Sequence, residues 1–300
     1  MKSFYIFLAI SCFAVPQRNT TTTEIPRITT DNEISNVDRF DKKSRIINGS
    51  PILDARSFPS YASIRRLGHH LCGGVILDES RILTAAHCEI KQFDTVIVGG
   101  IKRDGSDKQQ ELRIKYSEHS IRNHPYYKLG LLENDLTVVE LESALNFTSN
   151  VQPIKIGSEE EFQKIKNEIT DCQLVGHGYI DGHNSVLDQL QVANQVFSTE
   201  KSCQNYKINS SHCFVTKSEL GNSQACQGDS GGPLYCDVGN VKKLFGIVSF
   251  VRAFSCDKGF TGFTMPMRYN SFIDDTYPYG NGYPSVKLQL TLIFIFIALI

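Results

Sequence analysis

The chain has 300 residues, 41% of them hydrophobic, which is enough for one large domain or two small ones with a sizeable core. Its 31 basic and 32 acidic residues give a formal net charge of -1, and no basic run indicates nucleic acid or an acidic surface as a partner. Glycine is frequent, and the apolar runs VIVGG, LTVVEL and FGIVSF are short and β-branched. This composition favours many strands with tight turns over long helices.

Residues 1–17 have the pattern of a secretory signal peptide. A lysine, Lys2, precedes an apolar run of signal length, and small residues follow that run. The alternative is a buried first strand or helix. We expect cleavage between Ala14 and Gln17, which would place the mature chain in an extracellular, oxidising compartment.

Residues 18–45 are polar, threonine-rich and charged, so they cannot bury enough apolar surface to fold alone. The stretch ends in KKSR directly before IING. A basic residue after a flexible run is an accessible cut site, and the alternative is a plain linker. We predict that residues 18–45 are a pro-segment and that cleavage after Arg45 frees Ile46 as a new amino terminus.

Short strands alternate with turns at fairly even spacing from residue 46 to about residue 267. This pattern is typical of an all-β barrel or sandwich, and two halves of roughly 110 residues each would give two barrels. Residues 268–276 predict one or two turns of terminal helix.

The far end, residues 277–300, closes on the apolar run LQLTLIFIFIALI, whose 13 residues are fewer than the roughly 20 needed to span a bilayer. Small residues upstream, Gly280 and Gly282, give it the character of a removable lipid-anchor signal, although the spacer is shorter than usual. A short membrane-inserted tail and an ordinary apolar end are the alternatives, so the predicted location is extracellular, with or without a cell-surface anchor.

Three stretches carry residues suited to acyl transfer by a serine: His87 in TAAHC, Asp135 in NDLTVVEL and Ser230 in GDSGGP. Each alone is more often a structural residue or a turn. Together they offer a hydroxyl, a base and a carboxylate that orients the base. The glycines around Ser230 allow the N–H groups of Gly228 and Ser230 to converge on one oxygen. Asp229 needs a cationic partner if it is buried, and a new terminus would supply one.

The motifs IING, TAAHC, NDLTVVEL, GDSGGP and GIVSF occur in the order and spacing of the chymotrypsin-like (trypsin-family) serine proteases. The resemblance covers residues 46–276. It implies an all-β fold of two six-stranded antiparallel β-barrels with a short C-terminal helix and a catalytic cleft between the barrels.

The resemblance also implies the roles of individual residues. His87 matches the general base, Asp135 the residue that orients it, and Ser230 the nucleophile, in the chain order expected of this fold. Gly228 and Ser230 match the oxyanion-hole donors. Ser249 matches the serine beside the buried aspartate, and Asp229 the partner of the new terminus.

The nine cysteines become eight once Cys12 leaves with the signal, and eight cysteines allow 105 pairings. The resemblance implies one of them: Cys72–Cys88, Cys172–Cys236, Cys203–Cys213 and Cys226–Cys256. None lies in residues 18–45, so the pro-segment would not stay tethered after cleavage.

In this family the residue six before the nucleophile lies at the base of the specificity pocket, and here it is Gln224. A neutral base disfavours Lys or Arg before the cut bond, because an unpaired buried cation is costly. Ser249 belongs to the same pocket, and Val251 and Thr261 fall on its walls, with Gly262 as the alternative to Thr261. We therefore predict a small or medium neutral side chain. Two alternatives are that Gln224 binds a polar substrate group and that it only fills a shallow pocket.

Two tryptophans of the family pattern are replaced, by His177 in GHG and by Phe250. Since both side chains are still flat rings, we expect altered subsites rather than lost catalysis. Sequons at Asn19, Asn146 and Asn209 predict glycans.

The sequence therefore predicts a secreted serine endopeptidase made as a zymogen, with a protein or peptide substrate and an activating protease as its partners. No cofactor is expected, and no calcium or zinc spacing stands out. The alternative function is a non-catalytic protease homologue that acts as a binding or regulatory module.

Overall fold

The computed structural model of the chain describes residues 49–128, 130, 132–167, 172–179, 186–198, 203, 212–218, 224–251 and 260–275. All of these residues belong to one compact unit, Lys42–Ile300. The other unit, Met1–Asp41, and the predicted signal peptide, pro-segment and tail lie outside the described residues.

The described part of the chain is built mainly from short antiparallel strands. Their bounds are β1 Ser50–Pro51, β2 Tyr61–Arg66, β3 His69–Ile76, β4 Arg81–Thr84, β5 Thr95–Val98, β6 Gln110–Arg113, β7 Ile121–Asn123, β8 Thr137–Glu140, β9 Cys172–Gly176, β10 Gln191–Phe197, β11 Cys213–Ser218, β12 Pro233–Val238, β13 Val241–Val251 and β14 Thr261–Thr264.

The strands of the first half form a sheet in the order β6-β5-β2-β3-β4-β8-β7. It is a half barrel whose curvature brings its far strands together, since a single bridge joins Ile114, after β6, to Leu141, after β8. Strands such as β5 (TVIV) and β8 (TVVE) are β-branched and largely buried, as suits strands that face a core.

The strands of the second half form a sheet in the order β1-β10-β11-β14-β13-β12-β9, and β10 also pairs with β9. The additional pairing closes six of the strands into a barrel and leaves β1 outside it. Closure removes the exposed edges that an open sheet would present.

Helical structure is brief. The 3-10 helix Pro266–Tyr269 leads directly into α2, Asn270–Ile273, which is the short terminal helix that the sequence predicts. Helix α1, Glu159–Asn167, is not among the predicted elements; it buries Phe162 and Ile165. Ser158 Oγ accepts from Glu161 N at 3.1 Å and Glu161 Oε2 accepts from Ser158 N at 2.8 Å, which is a capping box.

One hydrophobic core joins the two halves. It combines residues of the first sheet, such as Ile64 and Val139, with residues of the second, such as Tyr235 and Ile247. Ser60 Oγ and Tyr235 OH also share a hydrogen bond of 2.7 Å across this junction. The two halves are therefore packed as one body, with the loops at their junction held between them.

The predicted all-β fold with two barrel-like halves and a short C-terminal helix is confirmed. Each sheet has seven strands rather than six, because the short strand β7 adds to the edge of the first sheet and the short strand β1 to the edge of the second. Among the described residues, no helix has both the length and the apolar character that crossing a bilayer requires.

Candidate active site

His87 and Asp135 are brought together by two paired strands. Strand β4 ends at Thr84, opposite Thr137 of β8, and the 3-10 helix Ala86–Cys88 follows β4. His87 Nδ1 lies 2.7 Å from Asp135 Oδ2, and His87 N donates to Asp135 Oδ1 at 2.9 Å. The carboxylate can only accept from the ring, so Nδ1 carries the proton and Nε2 is left with a free lone pair.

Asp135 is completely buried, and its carboxylate is compensated by hydrogen bonds. Besides the two bonds from His87, Asp135 Oδ2 accepts from Ser249 Oγ at 2.6 Å. Three donated hydrogen bonds replace the water that a buried carboxylate loses, so Asp135 needs no cationic partner. The imidazole is therefore held from one side only, while its other edge remains free to react.

Ser230 lies in the loop between Gln224 and β12, and this loop is fixed against the first half of the fold. Gly73 N of β3 donates to Ser230 O at 2.8 Å. Gly231 has φ +74, and a Cβ there would lie 2.1 Å from Thr84 Oγ1. Ser230 therefore lies beside the chain that leads into His87. Within the described part of the chain, no hydrogen bond involves its hydroxyl.

The backbone around Ser230 leaves two N–H groups unused. Asp229 N, Gly231 N and Gly232 N each donate to a carbonyl, at 2.9 Å in all three cases. Among the described residues, Gly228 N and Ser230 N have no acceptor. Since backbone N–H groups are rarely left unsatisfied, these two are available to an oxygen from outside the chain. Gly228 has φ +98, a conformation that glycine adopts readily.

Asp229, next to Ser230 in the sequence, is completely buried. Its Oδ1 accepts from Gly178 N at 2.7 Å and its Oδ2 from Cys226 N at 2.9 Å. No Lys, Arg or His of the described part lies within ion-pair distance. Burial raises the pKa of the Asp229 carboxyl to about 6, against the opposing effect of the two backbone donors.

Comparison with known proteins agrees with this geometry. The family model described as Trypsin matches residues 46–273. The chain belongs to the Trypsin family. The predicted resemblance to chymotrypsin-like (trypsin-family) serine proteases is therefore confirmed, at the level of the family.

Relatives within the Trypsin family come from several animals. Trypsin II-P29 of Gallus gallus is 31% identical over 70% of this chain and 80% of its own length, and trypsin delta of Drosophila melanogaster is 30% identical over 69% and 78%. Coagulation factor XI of Bos taurus is 32% identical over 60% of this chain. The match covers 29% of factor XI.

The predicted pocket residues of this trypsin-family chain lie on adjoining elements. Val251 of β13 pairs with Thr261 of β14, and Thr261 Oγ1 accepts from Ala225 N at 2.9 Å. Gln224, next to Ala225, is 2% exposed, and neither Oε1 nor Nε2 has a hydrogen-bond partner. The predicted base of the pocket is therefore a buried, neutral amide without hydrogen-bond partners.

A buried ring cluster near Gly228 is not predicted by the sequence. His177 packs edge-on against His70 and Tyr61, with ring centroids 5.3 Å and 5.6 Å apart. His70 Nε2 donates to Gly228 O at 2.8 Å. His177 Nδ1 and Tyr61 OH are buried without hydrogen-bond partners. Burial lowers the pKa of His70 to about 4 and that of His177 well below its usual value.

Three disulfides between described residues match the implied pairing: Cys72–Cys88, Cys172–Cys236 and Cys203–Cys213. The first of these ties the 3-10 helix of His87 to β3. Cys226 is disulfide-bonded as well. Its implied partner, Cys256, lies outside the described residues.

Arg45 and Ile46, the predicted activation residues, also lie outside the described residues, as do Asn19 and Asn209. Asn146 is exposed. Among the described residues, no group of three His, Cys, Asp or Glu side chains is placed to hold a metal ion.

Proposed function

We propose that the chain is a secreted serine endopeptidase that hydrolyses peptide bonds through an acyl-enzyme on Ser230. The observation that carries this proposal is the pair of unused N–H groups, Gly228 N and Ser230 N, beside the hydrogen-bonded His87 and Asp135. In this proposal a buried carboxylate orients a base, and two donors await a developing negative charge.

In the proposed first step, Ser230 Oγ attacks the substrate carbonyl while its proton passes to His87 Nε2. The carbonyl oxygen becomes an oxyanion and accepts from Gly228 N and Ser230 N. The C–N bond then breaks, and the proton on His87 goes to the leaving amine. Asp135 keeps the ring in the tautomer that makes these transfers possible and stabilises the imidazolium that forms between them.

In the proposed second step, a water molecule gives a proton to His87 Nε2 and attacks the ester carbonyl. Collapse of the second oxyanion breaks the ester bond, and His87 returns the proton to Ser230 Oγ. Removing one oxyanion donor typically costs about 10²–10³ in kcat. The Gly228–Ser230 donor pair therefore carries a large share of the proposed rate enhancement.

Labelling with a fluorophosphonate tests this function. The activated wild-type chain should form a covalent adduct at Ser230, and Ser230→Ala should form none while its melting temperature stays close to that of the wild type. An adduct formed by Ser230→Ala at the wild-type rate would show that another residue is the nucleophile. If the folded wild-type chain forms no adduct, the non-catalytic homologue is favoured. The presence of all three residues, His87, Asp135 and Ser230, argues against that alternative.

The proposal includes a zymogen with a signal peptide at residues 1–17, a pro-segment at 18–45 and the protease domain at 46–276. An activating protease cuts after Arg45, and the Ile46 ammonium then pairs with Asp229. The raised pKa of the Asp229 carboxyl supports this, because a buried acid without a cation gains most from one. Arg45→Gln should be secreted but inactive, and full activity in that variant would refute the mechanism.

For specificity, we propose a small or medium neutral side chain before the cut bond. Gln224 provides no negative charge, and Val251 and Thr261, which pair with each other, are the residues that we propose as the walls of a narrow pocket. A peptide library that varies the residue before the cut tests this. Thr261→Gly should shift the preference towards larger side chains, whereas a wild-type preference for Lys or Arg would contradict the proposal.

The residues 277–300 are proposed to carry a lipid-anchor signal, which would hold the enzyme at the cell surface. Treatment of expressing cells with a phosphatidylinositol-specific phospholipase should then release activity. Activity found solely in the medium before treatment would oppose the anchor and leave a freely secreted enzyme.

A further inference from the structure

A cavity of about 370 Å³ lies beside the candidate active site, where the two halves of the fold meet. Two of its lining residues, Arg103 and Asp188, are joined by a backbone hydrogen bond in which Arg103 N donates to Asp188 O. Its polar lining consists of Arg65, His69, His70, Arg103, Asp104 and Asp188.

Arg65 contributes a buried positive charge that forms no close ion pair among the described residues. The residue is 7% exposed, and its guanidinium donates to three backbone carbonyls, those of Gly68, Arg103 and Asp104. Within the described part of the chain, no carboxylate lies within ion-pair distance of it. Burial lowers the pKa of Arg65. The carboxylates of Glu111 and Asp104 offset the effect of burial only in part. A carboxylate bound in the cavity would therefore stabilise the Arg65 guanidinium further.

Arg103 contributes a second guanidinium, half-buried, that is only partly used. Its Nε donates to His177 O at 3.0 Å, and neither Nη atom has an acceptor among the described residues. The nearby Asp104 carboxylate accepts from Ser106 N at 2.8 Å and forms no ion pair with either arginine. The two Nη groups therefore offer a fork of the kind that binds carboxylates.

The cavity is directly connected to the loop that carries the two unused N–H groups. His70, in its wall, donates to Gly228 O at 2.8 Å. Arg103 bonds to His177 O, and the next residue, Gly178, donates to Asp229 Oδ1 at 2.7 Å. A ligand in the cavity would thus lie next to residues that are hydrogen-bonded to the Gly228–Ser230 loop.

The position of the cavity determines which part of a substrate reaches it. The residue before the cut bond enters the pocket of Gln224, Val251 and Thr261, which belongs to the second half of the fold. The cavity lies on the other side of Gly228, against β2 and β3 of the first half. An extended peptide that crosses the cleft therefore passes its residues after the cut bond over the cavity.

We propose that this cavity binds an acidic side chain of the substrate, located after the cut bond, with Arg103 pairing with its carboxylate. The inference rests on the proposed function, since it assumes that a peptide lies across Ser230. The proposed specificity then has two parts: a neutral side chain before the cut bond and an acidic side chain after it. The substrate class then becomes peptides with Asp or Glu within the first residues after the cut.

Binding to the uncleaving Ser230→Ala chain, after its pro-segment has been removed, tests the proposal. The probes are fluorescent peptides with Val before the cut bond and either Asp or Asn at one of the first three positions after it. At one position, Asp should bind about three- to tenfold more tightly than Asn at low salt, as expected for a partly shielded ion pair. The difference should shrink in concentrated salt.

Arg103→Glu in the same background should reverse the preference, so that Lys binds more tightly than Asp at that position. A purely structural role of Arg103 would weaken all peptides alike. The matched control is Arg113→Gln, which removes an exposed arginine of β6 with no ion pair in the described residues and should keep the Asp preference. Equal binding of Asp and Asn peptides at all three positions, or an Asp preference that survives Arg103→Glu, would overturn the proposal.

Fluorophosphonate labelling of the wild-type chain separates the two ideas. Labelling without any acidic preference removes the cavity proposal and leaves the protease intact. An acidic preference in the binding assay without labelling removes the protease and supports an anionic-peptide site.

Discussion

His70 Nε2 donates a hydrogen bond of 2.8 Å to Gly228 O, and His70 Nδ1 accepts one of 2.7 Å from Ser63 Oγ. The carbonyl can only accept, so the Nε2–H tautomer of His70 is fixed. A histidine of the first half thereby holds the loop that belongs to the second half. Protonation of Nδ1 would remove the acceptor that Ser63 uses, so this link depends on a neutral ring.

The stability of the protein should fall as the pH falls from about 6.5 to about 4. Burial lowers the pKa of His70 to about 4, that of His124 to about 4, and that of His177 well below its usual value. In this window the unfolded chain binds more protons at these rings than the folded chain does, so acid favours unfolding.

Asp229 acts in the opposite sense, because its raised pKa of about 6 lets the folded state bind a proton that the unfolded state does not hold until about pH 3.8. Three histidines outweigh one acid, and the net loss should be on the order of a few kcal/mol. Urea unfolding at pH 7, 5.5 and 4.5 measures it, and His70→Gln should reduce the slope. A free energy of unfolding that does not change with pH would contradict the burial of His70, His124 and His177 as neutral rings.

Gly231→Ala should inactivate the protein and destabilise it by more than about 3 kcal/mol. A Cβ at this position would lie 2.1 Å from Thr84 Oγ1, and the residue has φ +74. The loop must shift, and Ser230 shifts with it. The matched control is Gly239→Ala, which also has a positive φ, +57, but has nothing within 4 Å. It should cost only the conformational penalty of about 1–2 kcal/mol and keep the labelling rate.

Ser249→Ala should lower kcat about tenfold and leave KM nearly unchanged, since it removes the 2.6 Å bond to Asp135 Oδ2 but leaves both bonds from His87. The comparison is Thr264→Val, which removes only a 3.3 Å bond to Asp135 O. Steady-state kinetics should show little change for Thr264→Val. Equal effects of the two substitutions would show that Ser249 does not position the carboxylate.

His177→Phe should raise the free energy of unfolding at pH 7 by about 1–2 kcal/mol, because it replaces the buried, unpartnered Nδ1 with carbon inside a cluster of rings. His70→Phe should do the reverse and destabilise the protein, since it leaves Ser63 Oγ and Gly228 O without partners. Chemical unfolding of both variants checks the pair. If both substitutions change the free energy of unfolding in the same direction, ring packing rather than hydrogen bonding determines the stability of the cluster.

The sequence predicts much of the fold, since period-two patterns and turn residues are local signals. It also carries a local signal for the unpredicted helix α1, namely the Ser158–Glu161 capping box followed by the buried Phe162 and Ile165. The edge strands β1 and β7 have two and three residues, which is too short for any periodicity.

The candidate site is predicted where its residues lie in dense motifs, as in GDSGGP. It is not predicted where partners are far apart in sequence. Arg103 and His177 are separated by 74 residues, and His70 and Gly228 by 158. The residues that flank Arg103 in the sequence do not indicate its hydrogen bond to His177 O. That bond exists only once both sheets have formed.

The contact of Gly73 with the Ser230 loop makes the geometry of that loop depend on the packing between the two halves of the fold. Gly73 N holds Ser230 O, and a Cβ on Gly73 would lie 2.7 Å from Gly232 Cα, so the two backbones touch directly. The Ser230 loop is therefore supported by the half of the fold to which it does not belong. A substitution that loosens the packing between the two sheets should disturb the position of Ser230 even where it lies far from the loop.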